Sequence, residues 1–121
     1  MVKAVKNTKN ERVITEFTSQ LNKRITYFLG LIKKHGFNDD AEERNKILQR
    51  ISVEFGAYGF SASRNKKEIP ELYSILDEVE NICIRITNLI KKGNSSFICV
   101  NQVKGQLELL QKELRSIYAS V

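Results

Sequence analysis

Apolar residues along this 121-residue chain recur in steps of three and four and hardly ever in steps of two, the spacing that lines one face of an α-helix. A single proline, Pro70, breaks the sequence. The pattern therefore predicts an all-α chain of four helices. The first runs from about Asn10 to His35 with Ile14, Phe17, Leu21, Ile25, Phe28 and Ile32 on one stripe. Lys33, Lys34 and His35 follow as residues favoured near the negative end of a helix dipole, and Gly36 reads as a left-handed cap. The second starts at Asp39 or Asp40, with Asp39 and Glu42 spaced as a capping pair, and carries Ile47, Leu48, Ile51, Phe55 and Tyr58. Each of Gly56 and Gly59 lowers helix propensity by up to about 1 kcal/mol. With Ser61 and Ser63 beside them, the second helix is expected to stop between Gly56 and Ser63 and leave a connection to Glu68.

Pro70 suits the first turn of a third helix, where a missing N–H costs nothing. Leu72, Ile75, Val79, Ile82, Ile86 and Leu89 form its stripe, and Gly93 closes it. A fourth helix opens near Ser95 or Ser96 and carries Val100, Val103, Leu107, Leu110, Leu114 and Ile117. The short link from Lys92 to Ser95 makes helices 3 and 4 an antiparallel hairpin. Four one-sided helices with short links close most simply as a four-helix bundle, and 121 residues suit one domain: a basic flexible tail over 1–9 and the bundle over 10–121. The long seams are as compatible with a homodimer, or a place in a larger assembly, as with a closed monomer.

Charge changes this picture, because it is segregated. Residues 1–36 hold eight bases (Lys3, Lys6, Lys9, Arg12, Lys23, Arg24, Lys33, Lys34) against Glu11 and Glu16, while bases and acids balance over residues 37–121, so the whole net charge of +6 sits at one end. Clustered Lys and Arg attract phosphate or acidic surfaces. Arg12, Lys23 and Lys34 are 11 residues apart, close to three whole turns, and so return to nearly the same side at intervals of roughly 16 Å. Lys6, Lys9, Arg24 and Lys33 flank that line. Such an array can follow a phosphate backbone without reading bases. A second candidate lies at Gly56 to Lys67, where Tyr58 and Phe60 stand among glycines ahead of Arg64, Lys66 and Lys67. Rings beside cations are the ingredients of single-strand contact, although both rings can equally fold into the core.

Catalytic and metal chemistry find no such support. His35 has no titratable partner adjacent in sequence and reads as a dipole-favoured helix end. Glu78 and Glu80, like Glu42 and Glu43, are too close in sequence to face one site from one helix and read as solvated. Cys83 and Cys99 are too few for a zinc site, and the proposed hairpin register sets them about 7 Å apart along the axis, so they read as reduced apolar residues. No phosphate loop follows Gly56 or Gly59. The sequence has neither a membrane-span-length apolar run nor a secretory-type core, which makes the cytoplasm the expected compartment.

The segment Phe60-Ser61-Ala62-Ser63-Arg64 is similar to an aromatic-x-Ala-Gly-Arg run in the helical small subunits of type III CRISPR effector complexes, with serine in place of the glycine. Ile86 to Ser95 resembles the helical tail of plasmid mobilisation accessory proteins, without that motif's paired Asn and Gln. Either resemblance implies work near nucleic acid, and no residue is carried over from either. The expectation is thus a non-enzymatic, cofactor-free, basic helical accessory protein that meets DNA or RNA through phosphates. The alternative is a helical interaction module (adaptor, immunity protein or chaperone) that binds an acidic or helical protein surface.

Overall fold

A computed structural model describes residues 8–120; Lys6 and the remainder of the predicted tail lie outside the described residues. Among these there are four α-helices and no strand: α1 Thr8–Leu31, α2 Ala41–Glu68, α3 Tyr73–Lys92 and α4 Phe97–Ser120. They form a helical bundle in which α2 packs on α3, α3 on α4 and α4 on α1. Most positions of the stripes read from the sequence are its core: Ile14, Leu21, Ile25 and Phe28 of α1, with Ile32 just after it, are buried in one cluster with Leu48, Ile51 and Phe55 of α2 and with α3 and α4, while Tyr58, Ile75 and Leu89 are only partly buried. The side between α1 and α2 is closed by large rings. Phe17 and Tyr58 lie 6.3 Å apart between centroids, Phe28 and Phe55 5.9 Å, and Phe55 and Tyr58 5.7 Å.

Two helix boundaries differ from the sequence reading. α1 begins at Thr8, so Lys9 stands in its first turn rather than in a tail. α2 does not stop at its glycines; it continues to Glu68, and the connection expected over Gly56 to Lys67 is helix. Tertiary burial overrides propensity here, because Phe55, Gly59, Ala62 and Asn65 continue the inward face of α2 and Ile69 seals its end. Gly59 is buried against α3, where a Cβ would lie 3.4 Å from the Cys83 Cβ, an ordinary packing distance.

The caps are likewise redistributed. Asp40 is the N-cap of α2, its carboxylate accepting from the Glu42 N–H at 2.9 Å, and Ser96 caps α4 by accepting from the Cys99 N–H at 3.0 Å. Gly36 does not adopt the left-handed conformation expected of it, and Gly93, which closes α3, does not adopt it either. That geometry falls to Asn94 and Ser95, with φ of 49° and 56°. Gly93 is required for space instead, since a Cβ would sit 2.3 Å from the Cys99 Sγ and 2.8 Å from the Leu89 carbonyl oxygen. Gly36 ends a π-helical turn, Ile32–Gly36, that prolongs α1. It lies buried with the Val100 side chain 3.2 Å from where its Cβ would be.

Cys83 and Cys99 are free and buried, in keeping with their reading as apolar residues without a bridge. Burial, helped by the Glu80 charge, pushes the Cys83 thiol up to about 12.

Candidate nucleic-acid interface

The cations of the two predicted clusters end in two different environments. On α1 and its π turn, Arg12, Lys23, Lys33 and Lys34 are exposed, and none has a carboxylate partner among the described residues. The π turn explains the last two. It keeps Ile32 and Gly36 buried while Lys33, Lys34 and His35 point to water at the negative end of the helix. Lys9 is exposed in the first turn of the same helix.

Arg24, read from the sequence as a flank of this line, is half-buried and paired within the fold. Its Nε and Nη2 donate to the two oxygens of Glu54, each at 2.7 Å, and its guanidinium lies 4.5 Å from the Tyr27 ring centre and 5.1 Å from that of Phe28. The bidentate carboxylate raises the Arg24 pKa further against the opposing effect of burial. Arg24 is thereby a clamp between α1 and α2. Beside it, Arg50 donates to the Tyr27 hydroxyl at 3.2 Å and has no carboxylate partner among the described residues, which adds a cation that the sequence reading did not select.

The second cluster is dispersed by the continuation of α2. Tyr58 is half-buried on Phe17 and Phe55, and desolvation is the main cause of its raised pKa. Phe60 faces water and is 82% exposed. Lys66 turns inward, its side chain only 13% exposed, and its ammonium donates to Asp77 at 2.7 Å and Glu80 at 2.6 Å. Those hydrogen bonds, to Asp77 first, raise its pKa and keep it charged. Glu80 is consequently a structural counter-ion and not the solvated acid expected of it; Glu78 pairs with Arg85 at 3.1 Å. Arg64 and Lys67 remain exposed and have no carboxylate partner among the described residues. Of twelve candidates, Arg12, Lys23, Lys33 and Lys34 form the coherent set.

An aromatic surface beside cations does exist, at the other end of the bundle. Phe37, just after the π turn, and Phe97, the first residue of α4, have ring centroids 6.5 Å apart and planes inclined by 26°, and both rings are exposed. The Arg44 guanidinium sits 4.3 Å from the Phe97 centroid. It is buried and held by carbonyls, Nε donating to Ser95 at 2.7 Å and Nη1 to Asn38 at 2.5 Å. Sequence reading missed this pair because Phe37 and Phe97 lie outside every apolar stripe and are 60 residues apart.

Among the described residues no cluster of His, Cys, Asp or Glu has the makings of a metal site, and no helix is long and apolar enough to cross a membrane. Comparison with protein-family models, curated proteins and solved structures returns no match for this chain.

Proposed function

We propose that this chain is a non-enzymatic, basic helical protein that associates with nucleic acid through phosphate contacts along the outer side of α1, alone or within a larger nucleoprotein assembly. The supporting observation is the selective pairing of its cations. Arg24 and Lys66 are neutralised by carboxylates, whereas Arg12, Lys23, Lys33 and Lys34 stand exposed without one among the described residues. Unpaired cations on a rigid helix keep their field for an external anion and lose little side-chain partnership on binding. Arg50 and the exposed Phe37 and Phe97 rings widen the surface at the end where Lys33 and Lys34 stand.

Fluorescence anisotropy with short DNA and RNA tests the proposal. Binding is expected at about 50 mM salt and to weaken steeply as salt rises, since each neutralised phosphate releases counterions. Absence of binding to both at that salt refutes it. The alternative, recognition of an acidic or helical protein surface, draws its support from exposed Val53, Phe60 and Ile98.

A further inference from the structure

Six aromatic side chains are exposed among the described residues, and Tyr27, 41% exposed, is the one that stands on α1 with the outer cations. It follows Lys23 by four residues and precedes Lys34 by seven, about one turn and about two turns, so the ring lies between them on the cation-bearing side of the helix. Its position is fixed. The Arg24 guanidinium lies 4.5 Å from the ring centre, Arg50 reaches from α2 to donate to the hydroxyl at 3.2 Å, and an edge-on contact with Phe28, centroids 5.2 Å apart, ties the ring to the core. Gly30, between Tyr27 and Lys34, leaves the surface beside the ring bare, since a Cβ there would meet nothing within 4 Å. Beyond it a groove of about 580 Å³ runs between the end of α1 and α2, with Leu31 and Ile47 as apolar floor and His35, Lys46 and Arg50 around them. The one carboxylate of that groove, Glu43, pairs with Lys46 at 3.3 Å. The other exposed rings have less favourable surroundings for an anion: Phe37 is followed by Asp39 and Asp40, and Phe60 borders a groove that Glu80 lines.

We propose that the nucleic acid met by α1 is single-stranded, and that Tyr27 stacks on one of its bases while Lys23 and Lys34 hold phosphates to either side. This rests on the phosphate-binding reading of α1 and adds to it the form of the strand. In a duplex each base has both faces covered by its neighbours, so a ring exposed between two phosphate-binding lysines serves an unpaired base. Charge on this side suits the strand. Lys23, Lys34 and Arg50 have no carboxylate partner among the described residues, Glu54 already satisfies Arg24, and Glu16, the one acid on that side of α1, stands two turns before Lys23. The groove beyond Gly30 offers the next nucleotide an apolar floor among cations, and its volume falls within the range of about 300–1,000 Å³ usual for ligand clefts.

The chain contains no tryptophan, so Tyr27→Trp installs a single reporter at the ring. Its emission should be quenched by a single-stranded DNA or RNA oligonucleotide and not by inorganic polyphosphate at equal phosphate concentration, which meets the cations but has no base to stack. In anisotropy the full chain should bind the single strand about tenfold more tightly than a duplex of the same length, and Tyr27→Leu should lose about tenfold on the single strand alone. The salt dependence of that variant should match the parent's, because stacking releases no counterions, whereas Lys23→Glu should flatten it. Tyr27→Phe keeps the ring, gives up only the hydrogen bond from Arg50, and should bind as the parent does. Circular-dichroism melts confirm that each variant is folded at the temperature of measurement, and if Tyr27→Leu is not, the Tyr27→Trp emission decides. Equal affinity of the parent for the two forms, single-strand binding by folded Tyr27→Leu equal to the parent's, or tryptophan emission that polyphosphate alters as much as the oligonucleotide does would each overturn this inference and leave the phosphate reading standing. Absence of binding to either form would remove both.

Discussion

Lys23 and Lys66 stand on neighbouring helices, one facing water and the other held between Asp77 and Glu80. Both belong to lysine- and arginine-rich stretches, and nothing in composition separates them. Partners 11 and 14 residues downstream decide the difference, because the α2 to α3 turn folds Asp77 and Glu80 back against the last turns of α2. A paired cation stabilises the fold and has little field left over, whereas an unpaired one contributes little to folding and retains its field for a ligand. The two regions thus differ in what their cations do for the fold: those on the outer side of α1 keep their field, and Lys66 in the second half of α2 anchors the bundle.

Charge reversal at Lys23 and Lys34 gives the sharpest test of that division. Lys23→Glu with Lys34→Glu should abolish nucleic-acid binding in anisotropy while changing stability by no more than about 1 kcal/mol in denaturant titrations, because exposed charges contribute little to folding. If that variant binds normally and Arg64→Ala with Lys67→Ala does not, the assignment reverses and the end of α2 is the binding surface. Lys66→Met should do the opposite of the α1 reversal: a lower melting temperature, since Asp77 and Glu80 are left facing each other, with nucleic-acid binding unchanged at temperatures where the protein is folded. Arg24→Ala removes the clamp to Glu54 and its stacking on Tyr27 and should destabilise by about 1 kcal/mol, again without loss of binding at low temperature.

The smallest expected effect concerns pH. The Cys83 thiol ordinarily titrates at 9.0 and is pushed up to about 12 by burial. The folded chain therefore holds this proton more tightly than the unfolded chain. The stability that follows is fully present below about pH 9 and is lost as pH rises from 9 toward 12. Denaturation midpoints across that range should fall less for Cys83→Ala than for the parent.

The core was legible in the sequence because its stripes are long and made of Ile, Leu, Val and Phe. Four helices and nearly every buried position of α1 and α4 follow from that periodicity alone, whereas on α3 Leu76, Cys83 and Ile90 are buried and Ile75 and Leu89, read as core, are only partly so. The second half of α2 was not, since its inward face there is Gly59, Ala62 and Asn65, residues that carry little hydrophobic signal and, for glycine, an opposing propensity. Taking that helix for a loop also made a site of Tyr58, Phe60 and Lys66, which the helix sends in three directions. The Gly93 position shows the same kind of gap. A glycine after a helix is usually read as a backbone conformation, and here the cause is the Cys99 sulfur pressing on it from the next helix, a contact with no trace in local sequence.

Arg44 joins carbonyls from two connections that lie more than fifty residues apart in the chain, Asn38 after the π turn and Ser95 before α4. Two joints that would otherwise flex separately become one, so the π turn that bears Lys33 and Lys34 is tied to the α3–α4 connection at the same end of the bundle. The cations of α1 then behave as marks on a ruler, and a rigid rule can favour anions spaced at its own intervals over the same charges spread at random.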